Sequence, residues 1–366
     1  WLIGVPFGAR ELMNLPREET VEVINKAVDM GRELGAQIIG LGALTSVVTR
    51  GGRSVLGRDV AITSGNSFTT LMAMEALFLG AEKMHLEINK ARGAVLGATG
   101  SIGRACALLL SERLSQITLV GNPAHINSSK NRLNTLAGEI IRRALIRRRE
   151  GNLVGISLFL DKIYKMLGKN NSPMACSFME MFEEGKKLAI ADLERICAFL
   201  GIFCPLRTSV DIDATLPECN MIVAASNSPE FVIYPHHLQA GAVVCDVARP
   251  ADVAPEVLKE RDDVLVLEGG LVQYPEPVAF GPNLGYRDGV NLACLSETVL
   301  LALEGEFKDY SIGSKLSIET LEYFRSLGRK HGFGLAGLMM DNQEITDAGI
   351  EEIYQKSLHL RPVQNL

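Results

Sequence analysis

The chain has 366 residues, 47% of them hydrophobic and 22% charged, with a net charge of −6. That length fits two domains of roughly 100–200 residues each, with the composition of an ordinary globular protein. The acidic balance excludes the broad basic surface that nucleic-acid binding requires.

Seven cysteines, at 106, 176, 197, 204, 219, 245 and 294, form no CxxC pair and no repeated spacing. Neither a zinc site nor a disulfide framework is expected; the pattern fits reduced thiols in a cytoplasm-like compartment. No stretch reaches the roughly 18 apolar residues of a membrane span. The chain opens on Trp1-Leu2-Ile3-Gly4, without a methionine or a charged leader, and reads as a fragment lacking N-terminal residues.

In chain order, residues 20–34 carry Val21, Val23, Ile24, Ala27, Val28 and Met30 at helical spacing among charged residues. Residues 37–41 read as a buried strand and 69–78 as a second helix. Two polar loops, Leu44-Thr45-Ser46 and Thr63-Ser64-Gly65-Asn66-Ser67, interrupt this region. From Gly93 the pattern alternates strands and helices, as a parallel sheet requires. Strands are predicted at 94–96, 117–120, 221–224, 242–245 and 264–267, with a helix over 103–113. Residues 142–203 are long, amphipathic and helical, as in 156–167 and 188–200. A crossover rarely needs that much chain, so this segment reads as an insertion. Helices return from Ser296, and His331-Gly332-Phe333-Gly334 closes one of them.

Gly97-Ala98-Thr99-Gly100-Ser101-Ile102-Gly103 follows a strand of small apolar residues and opens a helix. In that setting the first glycine permits a tight turn, and the second lets the backbone approach a pyrophosphate. The third permits close helix–sheet packing, while the helix N-terminus faces the phosphates. An NAD site places an acid at the end of the next strand. Here Gly121-Asn122-Pro123 follows instead, with Lys130 and Arg132 a few residues on, so NADP is favoured. Each basic residue alone fits a solvated helix start equally well.

Five stretches resemble the long-chain acyl-(acyl-carrier-protein) reductases, which make fatty aldehydes. They are Leu41-Gly42-Ala43-Leu44-Thr45-Ser46, Ile62-Thr63-Ser64-Gly65-Asn66-Ser67-Phe68-Thr69, Ala94 to Gly103, Glu268-Gly269-Gly270-Leu271-Val272, and Asn291-Leu292-Ala293-Cys294-Leu295-Ser296-Glu297. Their order matches, as does His331-Gly332-Phe333; the insertion at 142–203 stands apart. The resemblance implies that a cysteine, matched by Cys294, attacks an acyl thioester and that NADPH then releases the aldehyde.

A nucleophilic cysteine needs a lowered pKa, for instance at a helix N-terminus. Cys294 stands at the start of an apolar run over 292–303, where a helix would bring its positive end near the sulfur. No histidine lies close in sequence to activate it. Free cysteine is more often a small buried hydrophobe, and Cys245, at the end of a sheet strand, is the rival.

Ala225, Ser226 and Asn227 close a strand at the carboxyl edge of the sheet, where the nicotinamide ribose is expected. Gly269 and Gly270 are expected to let backbone lie against the nicotinamide. Thr45, Thr63 and Asn66 are candidates to hydrogen-bond the thioester oxygen, although each alone also fits a cap or turn. Arg142, Arg143, Arg147, Arg148 and Arg149 form a dense basic helix, either a docking face for an acidic carrier or a solvated face. Ile156, Leu158, Phe159, Ile163, Met166 and Leu167 cover an acyl tunnel, touch a membrane surface or form a packed helical pair.

The expected fold is α/β. A Rossmann doubly wound parallel sheet over 90–295 is joined by a smaller α/β domain from 1–89 and 296–366, in a shikimate-dehydrogenase-like arrangement with the helical insertion. Rival readings are an NADP-dependent alcohol–ketone oxidoreductase without a covalent step and a non-catalytic NADP-binding regulator. The Thr63–Thr69 stretch carries no lysine for the Lys–Asp pair that the first rival uses.

Overall fold

A computed structural model of the chain describes residues 1–183, 188–278 and 285–360. Parts of the expected segments 142–203, 90–295 and 296–366, at 184–187, 279–284 and 361–366, lie outside the described residues.

The first segment contains α1 (Ala9–Asn14), α2 (Arg17–Glu33), β1 (Ile38–Gly40), α3 (Leu44–Val48), β2 (Ala61–Thr63) and α4 (Asn66–Lys83). β1 and β2 pair in parallel. The polar loops expected here are shorter than their composition suggests. Leu44–Val48 is helical, and Asn66 to Thr69 form the first turn of α4. α4 is apolar on all sides and almost wholly buried, which fits a helix central to the molecule.

The Rossmann-like part follows: β3 (Arg92–Leu96), α5 (Ser101–Ser111), β4 (Gln116–Val120), α6 (Ile126–Arg149), α7 (Gly155–Gly168), α8 (Pro173–Met181), α9 (Ile190–Leu200), β5 (Leu206–Ser209), α10 (Ile212–Thr215), β6 (Met221–Ala224), β7 (Val243–Asp246), α11 (Pro255–Glu260) and β8 (Leu265–Glu268). The six strands form one parallel sheet in the order β5-β4-β3-β6-β7-β8. Alternate residues point to opposite faces, and both faces are covered. Val95, Leu119, Val223, Val243 and Leu267 join one buried cluster, and Ala94, Leu96, Ile222, Val244 and Val266 another. β5 was not among the predicted strands; Leu-Arg-Thr-Ser at a sheet edge has one apolar residue and no pattern to read.

Four helices, α6 to α9, fill the crossover between β4 and β5. α6 runs unbroken through residue 142, so the expected start of the insertion falls inside a helix. In the basic cluster Arg142 and Arg149 are exposed, while the other three arginines have partners within the fold. Arg143 and Arg147 converge on Glu112 at 3.1 and 2.7 Å, while Arg148 pairs with Asp161 and lies over the Tyr164 ring. Ile156, Leu160, Ile163 and Leu167 are fully buried in the same cluster as the sheet, so this stretch is packed helix. Leu158 and Phe159 are half-buried and Met166 is exposed.

The chain then forms β9 (Leu271–Gln273), β10 (Val290–Leu292), α12 (Ala293–Glu304), α13 (Ile318–His331), β11 (Gly334–Leu335), the hairpin β12 (Met339–Met340) and β13 (Gln343–Glu344), and α14 (Asp347–Leu358). β9 pairs antiparallel with both β10 and β11. Gly332 ends α13 in the left-handed conformation. α4 packs on α5, β7 and β8, and also on α12 and α13. Thr63 of β2 bridges to Tyr310, so the two ends of the chain meet. No helix among the described residues is long and apolar enough to cross a membrane.

Candidate functional site

Strand order reverses between β3 and β6, and ligands of open α/β sheets bind at the carboxyl ends of strands flanking such a point. The glycine loop leaves β3 there. Gly97 has φ +65°, and a Cβ on it would overlap the carbonyl oxygen of Ala225, which follows β6. A Cβ on Gly103 would overlap the Gly97 carbonyl, so the start of α5 lies directly on the loop. At Gly100 an added Cβ would meet only Gly97 O, at 3.2 Å, leaving the loop open toward the cleft. No side chain caps α5, whose first turn retains unpaired N–H groups. This cradle fits a dinucleotide pyrophosphate.

A cleft of about 310 Å³ opens here. Its wall includes Gly100, Ser101, Ile102, Ala225, Ser226 and Asn227 from the sheet edge, Ser64, Asn66 and Thr69 from the start of α4, and Cys294. Thus the glycine loop and the cysteine face one space. Cys294 is the second residue of α12, as a helix-start thiol requires. The backbone N–H groups of Ala43 and Leu295 donate toward its sulfur. Ala43 takes φ +49°, a sparsely populated conformation for a residue with a Cβ.

The expectation of a lowered thiol pKa is corrected. Desolvation pushes the Cys294 thiol above its ordinary value, and Glu297 adds to this. The two N–H groups and Arg249 pull the other way without overcoming burial. Cys245, the rival, is fully buried, donates to Ala73 O at 3.3 Å and is raised by burial far beyond the thiolate range. Only Cys294, of these two, lines the cleft.

Beneath the cleft lies a buried carboxylate that the sequence reading did not single out. Glu297, one turn after Cys294, accepts from the hydroxyls of Thr63 and Ser311 and from the Phe68 N–H. Burial raises its pKa, and those hydrogen bonds offset the rise. The group ties α12 to the start of α4. Its signal was present in the i, i+3 spacing of Cys294 and Glu297, which places both on one side of a helix.

Several expected site residues lie elsewhere. Thr63 is buried and gives its hydroxyl proton to Glu297, so it has none for a thioester oxygen. Thr45 donates to Gly42 O at 2.7 Å and does not line the cleft. Asn66 does line it, and its amide has no partner among the described residues. Gly269 and Gly270 are buried; they do not line the cleft themselves but pack against Cys245 and against the cleft residues Val247 and Thr69. Asn122 is exposed and caps the following turn through Ala124 N–H. Lys130 and Arg132 are exposed on α6, outside the cleft wall. Thr99 is half-buried within the loop.

Asp213, His236 and His237 bring three ligand-type atoms within 4.8 Å of one another. Nδ1 of His237 accepts the Tyr234 N–H at 2.9 Å, which leaves the ring proton on Nε2, 2.8 Å from Asp213. That nitrogen then has no lone pair for a cation, and the group is a hydrogen-bonded His–Asp pair.

No protein-family model matches the chain. It is 27% identical over 318 residues to the aminotransferase PigE of a Serratia species, covering 85% of this chain and 30% of PigE. It is 23% identical over 328 residues to the long-chain acyl-[acyl-carrier-protein] reductase of Synechococcus elongatus, covering 86% of this chain and 75% of that protein. The chain therefore spans less than a third of the first relative and most of the second. It is an α/β chain with a Rossmann-like six-stranded parallel sheet and distant similarity to both enzymes.

Proposed function

We propose that the chain uses NADPH to reduce a fatty acyl thioester, borne by acyl-carrier protein or coenzyme A, to a fatty aldehyde through an acyl-Cys294 intermediate. One observation carries this reading: Cys294 and the open glycine loop line the same cleft at the strand-order switch point. The distant likeness to an acyl-carrier-protein reductase, over most of both chains, supports it. On this reading residues 1–89 and 296–366 form a substrate domain around the 90–295 cofactor domain, as in shikimate dehydrogenases.

Gly97, Thr99, Gly100, Ser101, Ile102 and Gly103 would hold the pyrophosphate, and Ala225 and Ser226 the nicotinamide ribose. When bound, the reduced nicotinamide supplies a hydride. The lack of an acid after β4 favours the 2′-phosphorylated cofactor. Pyridoxal phosphate, suggested by the first relative's name, fits poorly because no lysine among the described residues lines the cleft.

Cys294 sulfur bonds to the carbonyl carbon, and negative charge moves to the oxygen. Collapse breaks the bond to the carrier sulfur, which leaves as a thiol after taking a proton. The Asn66 amide is the donor proposed for the developing oxyanion, while the Ala43 and Leu295 N–H groups hold the sulfur. After reduction the thiohemiacetal expels Cys294, and the aldehyde departs.

Mass spectrometry after mixing the protein with acyl-CoA and no reductant tests this. An acyl adduct on Cys294 is expected, absent in Cys294→Ala, with NADPH binding retained by that variant. Turnover by Cys294→Ala, or turnover without an adduct, favours the non-covalent oxidoreductase. NADPH binding with no turnover on any thioester favours a regulator.

A further inference from the structure

The same cleft carries a charge imbalance that the proposed chemistry at sulfur does not use. Arg50, Arg53 and Arg249 line it and no carboxylate among the described residues does, in a chain of net charge −6. Arg249 has a neighbouring counter-charge in Glu268 at 3.6 Å. Arg50 and Arg53 are exposed and have no ion pair or side-chain hydrogen bond among the described residues.

Their backbone is held in place. Gly51 N–H donates to Ser46 O at 2.6 Å, and Gly51 O accepts the Gly313 N–H at 2.8 Å. The Arg53 guanidinium lies against Gly313, where even a Cβ would stand 2.5 Å from its Nε. Gly313 O in turn accepts the Ser101 hydroxyl at 3.0 Å, and Ser101 is the first residue of the uncapped α5. The Arg53 guanidinium and the open N-terminus of α5 therefore meet at Gly313, and Arg50, beside Gly51, lines the same cleft.

We infer that Arg50 and Arg53 form a phosphate subsite that faces the amino end of α5 across the cleft. Guanidinium forks suit phosphate oxygens, and an anion between them relieves the repulsion among the cleft arginines. The inference deepens the reductase reading and rests on it for the ligand, which is a phosphate ester. The shared chemistry has two sources there, the dinucleotide pyrophosphate and the phosphate of a pantetheine arm. The Arg53–Gly313–Ser101 contact favours the first.

The test uses the full chain and the variants Arg50→Gln, Arg53→Gln and the double variant. Both side chains are exposed and unbonded, so unliganded melting temperatures should match the wild type. NADPH affinity is read by fluorescence without thioester. KM is compared for an acyl-CoA and for the same acyl group on N-acetylcysteamine, which carries no phosphate. Each substitution is expected to weaken NADPH binding about tenfold, the scale of one charge-assisted hydrogen bond. If NADPH affinity holds but KM rises about tenfold for acyl-CoA alone, the subsite stands and its phosphate is the carrier's.

Inorganic pyrophosphate, read by thermal shift, separates this inference from the reductase reading. Stabilisation of the wild type but not of the double variant supports the subsite even if no thioester is reduced. NADPH, acyl-CoA and pyrophosphate binding the double variant as they bind the wild type would overturn it.

Discussion

Gly65 and Cys294 are in backbone contact: a Cβ on residue 65 would overlap both Cα and Cβ of the cysteine. Gly65 also takes φ +72° as the residue capping α4. One glycine thus starts the helix that carries Asn66 and makes room for the first turn of α12, which carries the sulfur. The two halves of the site are positioned by one contact between segments from opposite ends of the chain.

That contact makes Gly65→Ala a sharp probe. The left-handed conformation alone costs a residue with a Cβ about 1–2 kcal/mol, and the overlap adds to it. The expected result is a melting temperature several degrees lower and acylation of Cys294 slowed at least tenfold. A variant that melts and acylates like the wild type removes the contact from any role in the site.

The raised Cys294 thiol sets a pH dependence. Its pKa lies above the ordinary 9.0, so the thiolate fraction at neutral pH is small and grows about tenfold per pH unit. Iodoacetamide labelling of Cys294, mapped by peptide mass, should keep rising through pH 9 without a plateau below it. Arg249→Gln removes a charge that favours the thiolate, and labelling at pH 8 should slow several-fold. Cys245 should stay unlabelled in the native protein because it is buried. A plateau near pH 7 contradicts the raised value.

Asp246, at the end of β7, accepts the N–H groups of Ala248, Asp252 and Val253 at 3.0, 2.9 and 2.9 Å. Burial first, and Asp252 second, push its pKa to about 7. Asp252 holds the cleft residue Ser226 by its N–H at 2.8 Å and by its hydroxyl. Folding raises the Asp246 pKa, so the folded state holds the proton more tightly. The resulting stability is full below the ordinary carboxylate value near 4 and is lost as pH rises through about 7. Asp246→Asn should lower the melting temperature at pH 5, because the amide accepts fewer N–H bonds, yet flatten its decline toward pH 8. Parallel pH profiles for the two proteins would count against a proton on this pair.

The local parts of this molecule are legible in its residue order. The predicted strands at 94–96, 117–120, 221–224, 242–245 and 264–267 fall within a residue or two of β3, β4, β6, β7 and β8. The glycine loop stands between strand and helix as expected, and a helix begins at Cys294. These readings rest on side-chain period and on glycine at a turn, which neighbouring residues alone control. Contacts between distant segments were not legible in this way. Thr63 gives its hydroxyl proton to Glu297, and Gly269 packs against Cys245 and Ala73. Within the arginine run, Glu112 and Asp161 supply counter-charges to Arg143, Arg147 and Arg148, while Arg142 and Arg149 stay exposed.

Residue order alone therefore determined that a parallel nucleotide-type sheet would form, with a phosphate-sized glycine turn at its edge and a thiol at a helix start. Only the folded chain decided that turn and thiol share one cleft, that burial raises the thiol instead of lowering it, and that Arg50 and Arg53 face the same opening. Desolvation and charge pairing depend on what packs around a group, and its surroundings are assembled from segments hundreds of residues apart.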